Sequence, residues 1–147
     1  MKDKIILLVE DSQDDEELTL RALKQNHILN RVIVVHDGVE AMAYLNAKEQ
    51  YQGRDPEDLP QLILLDLKLP KMSGLDVLKQ VRENNLTQLI PVVIMTSSSE
   101  EEDILTSYRL GANSYIRKPV EFAKFTKAVQ QLGLYWLVIN QSPPLVK

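Results

Sequence analysis

Hydrophobic residues along the chain fall into short, nearly unbroken runs that alternate with amphipathic segments. The four strongest runs are Ile5–Val9, Val32–Val35, Leu62–Leu65 and Val92–Met95. Runs of this length, rich in Val, Ile and Leu, are typical of strands buried on both faces of a sheet. A weaker fifth run, Asn113–Arg117, mixes a tyrosine with polar residues, as an edge strand does. The pattern therefore predicts five strands.

A segment with the apolar spacing of a helix follows each predicted strand. The positions that carry this spacing are Leu18 and Ala22, Val39 and Met42, Leu75 and Leu78, Ile104 and Tyr108, and Phe125 and Val129. Strands and helices that alternate over short connections favour parallel strands joined by right-handed crossovers. The sequence thus predicts an α/β fold, a (βα)5 doubly wound sheet of five parallel strands.

Two acidic runs, Asp14–Glu17 and Glu100–Glu102, stand where predicted helices begin. Carboxylates there complement the positive end of the helix dipole, so we interpret both runs as helix starts rather than metal sites. Ser98 and Ser99 each stand three residues before a glutamate of the second run, which is the spacing of a capping box.

The chain length and the positions of glycine and proline predict one domain, at about residues 4–141 of the 147. A long connection at about 46–61 contains Gly53 and two prolines and is expected to be an extended loop. The tail at about 142–147 begins Ser-Pro-Pro and is expected to fray. Few residues follow the last predicted helix, which disfavours a DNA-binding effector domain and favours output through contact with another protein.

Composition narrows the classes of function. The net charge of −4 argues against binding to nucleic acid and against a basic membrane-surface protein. The absence of cysteine excludes disulfides, thiolate zinc sites and thiol nucleophiles. The first apolar run is too short for a signal peptide or a membrane span, so we expect a cytoplasmic protein. Five scattered glycines exclude the dense glycine loops that cradle nucleotide phosphates.

Polar side chains that can bind ions or take part in reactions follow four of the predicted strands. They are Glu10 and Asp11 after the first strand, Asp66 after the third, Thr96 after the fourth and Lys118 after the fifth. Ligands of open parallel sheets bind beyond the carboxyl ends of the strands. One such residue alone is usually a helix cap. Their joint occurrence at one edge indicates a functional site.

The three carboxylates of this group, Glu10, Asp11 and Asp66, would repel one another unless a cation neutralises them. Oxygen ligands without histidine or cysteine favour Mg²⁺ or Mn²⁺ over zinc. Such a cation, with a lysine and a hydroxyl, forms a site that can receive a phosphoryl group. An aspartate can itself accept that group as an acyl phosphate.

The segment Leu64–Gly74, with sequence LLDLKLPKMSG, resembles the phosphoacceptor segment of the receiver domains of two-component response regulators. An acidic pair, a hydroxyl followed by a small residue, and a lysine followed by proline match the family in order: Glu10-Asp11, Thr96-Ser97 and Lys118-Pro119. The resemblance covers nearly the whole chain and implies the flavodoxin-like receiver fold, with strand order 2-1-3-4-5. The long loop and the style of the phosphoacceptor segment resemble the stand-alone regulators associated with phytochromes.

The resemblance implies that Asp66 takes a phosphoryl group from a phosphohistidine. The donor would be a sensor histidine kinase, a phytochrome-type kinase among the candidates, or a phosphotransfer protein. The magnesium ligands would be Asp11, Asp66 and the backbone carbonyl of Lys68, with Glu10 acting through a water molecule. Manganese could replace magnesium.

Other residues would act on the phosphoryl group after transfer. Lys118 would pair with its oxygens, Thr96 would donate a hydrogen bond to it, and the backbone amides of Lys68 and Ser97 would complete the cradle. Tyr115 stands at the family's aromatic switch position and would turn inward as Thr96 moves toward the phosphoryl group. The Lys118–Pro119 peptide bond resembles one that is cis in this family.

The function implied is a signalling switch with magnesium-dependent self-hydrolysis and output through a downstream protein, rather than an enzyme acting on other substrates. The enzyme alternative is a phosphatase of the haloacid-dehalogenase type. That family has a second aspartate two residues after the first, at the position where this chain has Lys68. A pseudo-receiver that binds partners without phosphorylation is the third hypothesis.

The apolar run Tyr135–Ile139 is continuous, so one helical stripe cannot bury all of it. It predicts either a longer core helix that packs back on the sheet or a homodimer interface at the last helix.

Overall fold

A single parallel sheet forms the centre of the molecule. The computed structural model of the chain describes residues 4–118 and 121–144. Its strands are β1 Ile5–Val9, β2 Arg31–Val35, β3 Leu62–Leu65, β4 Val92–Thr96 and β5 Ser114–Arg117. The strands are all parallel and lie in the order β2-β1-β3-β4-β5. The predicted flavodoxin-like (βα)5 fold and its strand order are confirmed.

In the described part of the chain, five α-helices pack on the two faces of this sheet. They are α1 Gln13–Gln25, α2 Gly38–Asn46, α3 Gly74–Glu83, α4 Glu101–Arg109 and α5 Phe122–Gly133. Alternate residues of a strand point to opposite faces. Leu7 and Val9 accordingly pack with α2 and α3, whereas Ile6 and Leu8 pack with α1 and α5. None of the helices in the described ranges has the length and apolar content needed to cross a membrane.

Burial explains why the strand runs are so apolar. Every residue of β1, β3 and β4 is buried, because each of these strands has neighbours on both sides and helices on both faces. The edge strands β2 and β5 are partly exposed, in agreement with the polar residues of the fifth run. The β4 strand also includes Thr96, one residue beyond the predicted end.

The two acidic runs begin helices in different ways. Ser12 caps α1, with its Oγ accepting a hydrogen bond from the backbone amide of Asp15 at 3.3 Å. The predicted capping boxes of the second run are wrong. Glu100 is the N-cap residue of α4 and makes no side-chain cap bond. The Ser98 Oγ instead donates a hydrogen bond to Asp103 Oδ2 at 2.6 Å. Asp103 belongs to the first turn of α4, so the serine bonds to a side chain of that turn.

Side-chain contacts pin the long connection between α2 and β3. A short 3₁₀ turn spans Glu49–Tyr51. The Arg54 guanidinium lies over the Tyr44 ring, 4.2 Å from its centre. The Tyr51 hydroxyl donates to Glu40 Oε2 at 2.8 Å. The connection expected to be an extended loop is thus held against α2 by these contacts.

Beyond α5 the chain continues as a π-helical segment, Leu134–Ile139. Trp136 and Leu137 pack against the core between α1 and the sheet. Leu134, Tyr135, Val138 and Ile139 are 49–73% exposed. Packing back on the sheet thus accounts for only part of the apolar run. The predicted tail is irregular over 142–144, and its last three residues lie outside the described part of the chain.

Candidate functional site

Sheet topology places Glu10 and Asp66 side by side. Strands β1 and β3 are neighbours, with Val9 paired to Leu65, so the residues that follow them leave the same edge. The Asp66 amide donates to the Val9 carbonyl at 3.2 Å and continues this pairing by one residue. Both side chains are buried although they are acidic.

The Lys118 side chain reaches this acidic pair from the end of β5, an edge strand of the sheet. Its backbone amide donates to the Thr96 carbonyl at 2.7 Å, which fixes the residue just beyond β5. Its Nζ lies 3.0 Å from Asp66 Oδ2, 3.0 Å from Asp15 Oδ2, and in contact with Glu10 Oε1. One buried ammonium therefore joins three carboxylates.

The charges of this group shift one another's pKa values. Burial raises the pKa of Glu10 to about 7, although the hydrogen bond and charge of Lys118 oppose the change. Burial also acts to raise the pKa of Asp66, but the charge and hydrogen bond of Lys118 outweigh it and hold that pKa below its usual value. For Lys118, burial is outweighed by Glu10 and Asp66, and its pKa rises above the usual range. Asp66 is thus ionised and Lys118 charged at neutral pH.

The donor set fits a hard divalent cation. Glu10, Asp15 and Asp66 each place a carboxylate oxygen within 4.8 Å of the others. The group contains three carboxyl groups and one ammonium, so a divalent cation would meet more acidic than basic side chains. All the donors are oxygens, the ligand type of Mg²⁺ and Mn²⁺. The backbone of Lys68 is also close, since its amide donates to Asp66 Oδ1 at 3.2 Å.

The membership of this carboxylate group differs from the expected one. Asp11 is exposed and lies outside it, whereas Asp15, which the acidic run had suggested to be only a helix start, belongs to it. Glu10 and Asp11 both lie beyond the end of β1, where Glu10 is buried and Asp11 is exposed. The sequence signal that could have found Asp15 is the capping residue Ser12. This cap decides at which residue the first turn of α1 begins, and therefore where the Asp15 side chain lies.

The predicted switch residues meet in the loop after β4. Thr96 is fully buried, and its Oγ1 accepts a hydrogen bond from the Ser98 amide at 3.5 Å. Ser97 is exposed. The Tyr115 hydroxyl donates to the Ser98 carbonyl at 2.9 Å. The isomer expected at the Lys118–Pro119 bond falls on a proline outside the described residues.

A close backbone approach holds the Asp66 loop against α3. A β-carbon at Gly74 would lie 2.1 Å from the Asp66 carbonyl oxygen, far inside van der Waals contact. The Gly74 amide donates to the Leu67 carbonyl at 2.9 Å. Only glycine lets the first residue of α3 come this close, so this helix start fixes the backbone that carries Asp66.

Comparison with known proteins gives the family. Residues 6–130 match the family model described as the response regulator receiver domain. The chain is 40% identical over 134 residues to response regulator Rcp1 from Synechocystis sp., covering 91% of this chain and 89% of Rcp1.

Solved structures extend the match to three dimensions. The crystal structure of Mn²⁺-bound Rcp1 covers 96% of this chain and 99% of its own, with 39% identity and a TM-score of 0.87. The phosphorylated cyanobacterial phytochrome response regulator RcpA has a TM-score of 0.89, with 37% identity over 97% of this chain and 100% of its own. The bacteriophytochrome response regulator RtBRR is 52% identical, with a TM-score of 0.79, over 97% of this chain and 86% of its own. The chain therefore belongs to the response regulator receiver domain family, the phosphoacceptor domains of signalling switches.

Proposed function

We propose that Asp66 is the phosphoacceptor of this receiver domain. The contact between its ionised carboxylate and the Lys118 ammonium, 3.0 Å apart at the carboxyl edge of the sheet, carries the proposal. A carboxylate oxygen of Asp66 forms a bond to the phosphorus of a phosphohistidine, and the phosphorus–nitrogen bond breaks with its electron pair moving to the imidazole. The product is an aspartyl phosphate. The relative RcpA was crystallised in a phosphorylated form, which supports a phosphorylated state of this chain.

The metal proposed for the site is Mg²⁺, and Mn²⁺ is an alternative because Rcp1 crystallises with it. Asp11, Asp66 and the Lys68 carbonyl would hold the ion, and Glu10 would act through a water molecule. When bound, the ion neutralises the negative charge that gathers as phosphate and carboxylate approach. Asp11 is exposed, and the Mg²⁺ requirement of Asp11→Asn tests its role.

After transfer, residues of this chain hold the phosphoryl oxygens. Lys118 pairs with them, Thr96 donates a hydrogen bond, and the backbone amides of Lys68 and Ser97 complete the cradle. In the hydrolysis that follows, a water oxygen bonds to phosphorus and the bond between phosphorus and Asp66 breaks, which releases phosphate and restores the carboxylate. A bound ion would assist by neutralising negative charge. The phosphoryl group thus passes only to Asp66 of the protein itself and then to water. The amide of Lys68, already 3.2 Å from Asp66 Oδ1, supports this arrangement.

We propose that Thr96 and Tyr115 convert phosphorylation into a change of surface. Thr96 moves toward the phosphoryl group, and Tyr115 moves into the space beside it. The face formed by α4, β5 and α5 is remodelled as a result. Crystal structures with and without a beryllofluoride phosphoryl mimic test this step, and an identical Tyr115 rotamer in both would refute it.

The proposed phosphodonor is a sensor histidine kinase or a phosphotransfer protein, and the phytochrome regulators among the relatives favour a phytochrome-type kinase. Output passes to a downstream protein, with residues 1–147 acting as one receiver domain. We place the protein in the cytoplasm, where the kinase phosphohistidine is made from ATP. Co-incubation with a purified phytochrome kinase should transfer phosphate to the wild type and not to Asp66→Asn.

We further propose that the chain forms a homodimer through its last helical region. The four exposed apolar side chains of Leu134–Ile139 support this, because contiguous exposed apolar residues mark contact surfaces. Val138→Asp should lower the sedimentation mass from two chains to one. Val39→Asp, exposed on the opposite layer, should leave the dimer intact. A single-chain mass of the wild type, with and without beryllofluoride, would refute the dimer.

Intact mass spectrometry tests the central proposal. Incubation with acetyl phosphate and Mg²⁺ should add one phosphoryl group to the wild type and none to Asp66→Asn or to a chelated sample. Asp11→Asn should need much more Mg²⁺ for the same uptake. Equal uptake by Asp66→Asn would overturn the assignment, and no uptake by any variant would favour a pseudo-receiver.

A further inference from the structure

Lys118 has a third carboxylate partner that the family resemblance did not supply. Its Nζ lies 3.0 Å from Asp15 Oδ2, the same distance as from Asp66 Oδ2. Asp15 stands on α1 and is 103 residues from Lys118 along the chain. The contact therefore joins the start of α1 directly to the residue that follows β5.

The first turn of α1 holds Asp15 in a fixed place. Its backbone amide donates to the Ser12 cap hydroxyl at 3.3 Å, and its carbonyl accepts a hydrogen bond from Thr19 Oγ1 at 2.8 Å. The Ser12 amide in turn donates to Glu10 Oε2 at 3.3 Å. The carboxylate of Asp15 is thus tied through the cap to the same acidic group that Lys118 enters.

The three partners of Lys118 differ in exposure. The side chains of Glu10 and Asp66 are 2% and 11% exposed, whereas that of Asp15 is 39% exposed. In the proposed function Glu10 and Asp66 turn to the metal ion and the phosphoryl group. Asp15 lies at the solvent side, away from those roles, so its contact with the Lys118 ammonium can persist.

We propose that Asp15 is a positioning residue that holds the Lys118 ammonium beside Asp66, ready to meet the phosphoryl oxygens. This inference rests on the proposed role of Asp66. Asp15 lies in the same carboxylate group as Glu10 and Asp66, but we assign its carboxylate to Lys118 Nζ, 3.0 Å from its Oδ2, and not to the metal ion or the phosphoryl group. Lys118 has three carboxylate partners, and Asp15 is the one that remains to hold it when Glu10 and Asp66 engage the metal ion and the phosphoryl group.

The test compares Asp15→Asn with Asp14→Asn. Asp14 is the preceding residue of the same helical turn and is exposed, so its substitution removes the same charge from the same place in the sequence. Asp15→Asn should slow phosphoryl uptake from acetyl phosphate about fivefold, the effect of losing one partly exposed ion pair. Asp14→Asn should match the wild type, and Asp15→Glu should recover most of the rate.

Two readouts without phosphate separate positioning from general damage. The Nζ resonance of Lys118, observed in lysine-labelled protein without metal, should shift in Asp15→Asn and stay in place in Asp14→Asn. The Mg²⁺ dissociation constant of Asp15→Asn should rise less than about threefold, because only a nearby charge is lost.

Three results would overturn the inference. Asp15→Asn with wild-type uptake, or with an unmoved Lys118 resonance, would show that Asp15 does not position the ammonium. A loss of Mg²⁺ affinity as large as that of Asp66→Asn would make Asp15 a metal ligand instead. Failure of the proposed function is distinguishable, because it would appear as phosphoryl uptake that persists in Asp66→Asn.

Discussion

The Tyr115 hydroxyl donates a hydrogen bond to the backbone carbonyl of Ser98 at 2.9 Å and so joins β5 to the loop that follows β4. The Ser98 side chain continues the connection, since its Oγ donates to Asp103 Oδ2 at 2.6 Å in the first turn of α4. The Ser98 amide faces Thr96 Oγ1 at 3.5 Å. Ser98 is therefore the point where both proposed switch residues and α4 meet.

Removal of the Tyr115 hydroxyl should weaken this connection without harming the phosphoacceptor. Tyr115→Phe loses one partly buried hydrogen bond, so we expect the free energy of unfolding to fall by about 1 kcal/mol. Urea denaturation measures this change. Phosphoryl uptake should persist. Tyr108→Phe, an exposed tyrosine on α4, is the matched control and should unfold as the wild type does. Equal stability of the two variants would contradict a structural role for the Tyr115 bond.

A methyl group at Gly74 should disturb the phosphoacceptor through its backbone. Gly74→Ala places a β-carbon 2.1 Å from the Asp66 carbonyl oxygen, so the loop or the helix must move. We expect a loss of about 1–3 kcal/mol in stability, the usual effect of overpacking, together with slower phosphoryl uptake. Urea denaturation and intact mass measure the two effects. Lys79→Ala, exposed on the same helix, should change neither, and a Gly74→Ala protein with wild-type uptake would show that the approach is dispensable.

The tether of the long loop should depend on pH at alkaline values. Burial and the hydrogen bond to Glu40 raise the pKa of Tyr51 to about 12. The folded protein thus holds this phenol proton more tightly than the unfolded chain, whose tyrosines titrate near pH 10. The stability that follows from this difference is complete below about pH 10 and is lost as the pH rises toward 12.

Comparison with Tyr51→Phe isolates this effect. The difference in unfolding free energy between wild type and variant should be constant from about pH 7 to about pH 9 and should shrink above about pH 10. A difference that stays constant to about pH 11 would contradict the raised pKa. The exposed Tyr108→Phe provides the reference for tyrosines in general.

Strands were easier to predict than helix starts, for a physical reason. The runs at Ile5–Val9 and Leu62–Leu65 match β1 and β3 to the residue, because a strand buried on both faces must be apolar throughout. The start of α4 was predicted wrongly because its serines could cap by spacing alone. Only the folded chain shows that the Ser98 hydroxyl has Asp103 as its partner instead.

Most residues of the candidate site were predictable, and one was not. Glu10 and Asp66 follow adjacent strands, so the sheet order brings them together, and the long side chain of Lys118 reaches them from β5, two strands beyond β3. Asp15 lies on a helix, and its direction depends on the residue at which α1 begins. A carboxylate in a first helical turn is also explained by the helix dipole. The sequence therefore offers no reason to expect that Asp15 contacts Lys118.

Locating the acyl phosphate along the chain is the most direct measurement. Protein treated with acetyl phosphate and Mg²⁺ is reduced with borohydride, which converts an aspartyl phosphate to homoserine, and the peptides are sequenced by mass spectrometry. The prediction is homoserine at position 66 alone, with none in a chelated sample. Homoserine at another aspartate, or an unmodified Asp66 in protein that has gained a phosphoryl group, would contradict the assignment.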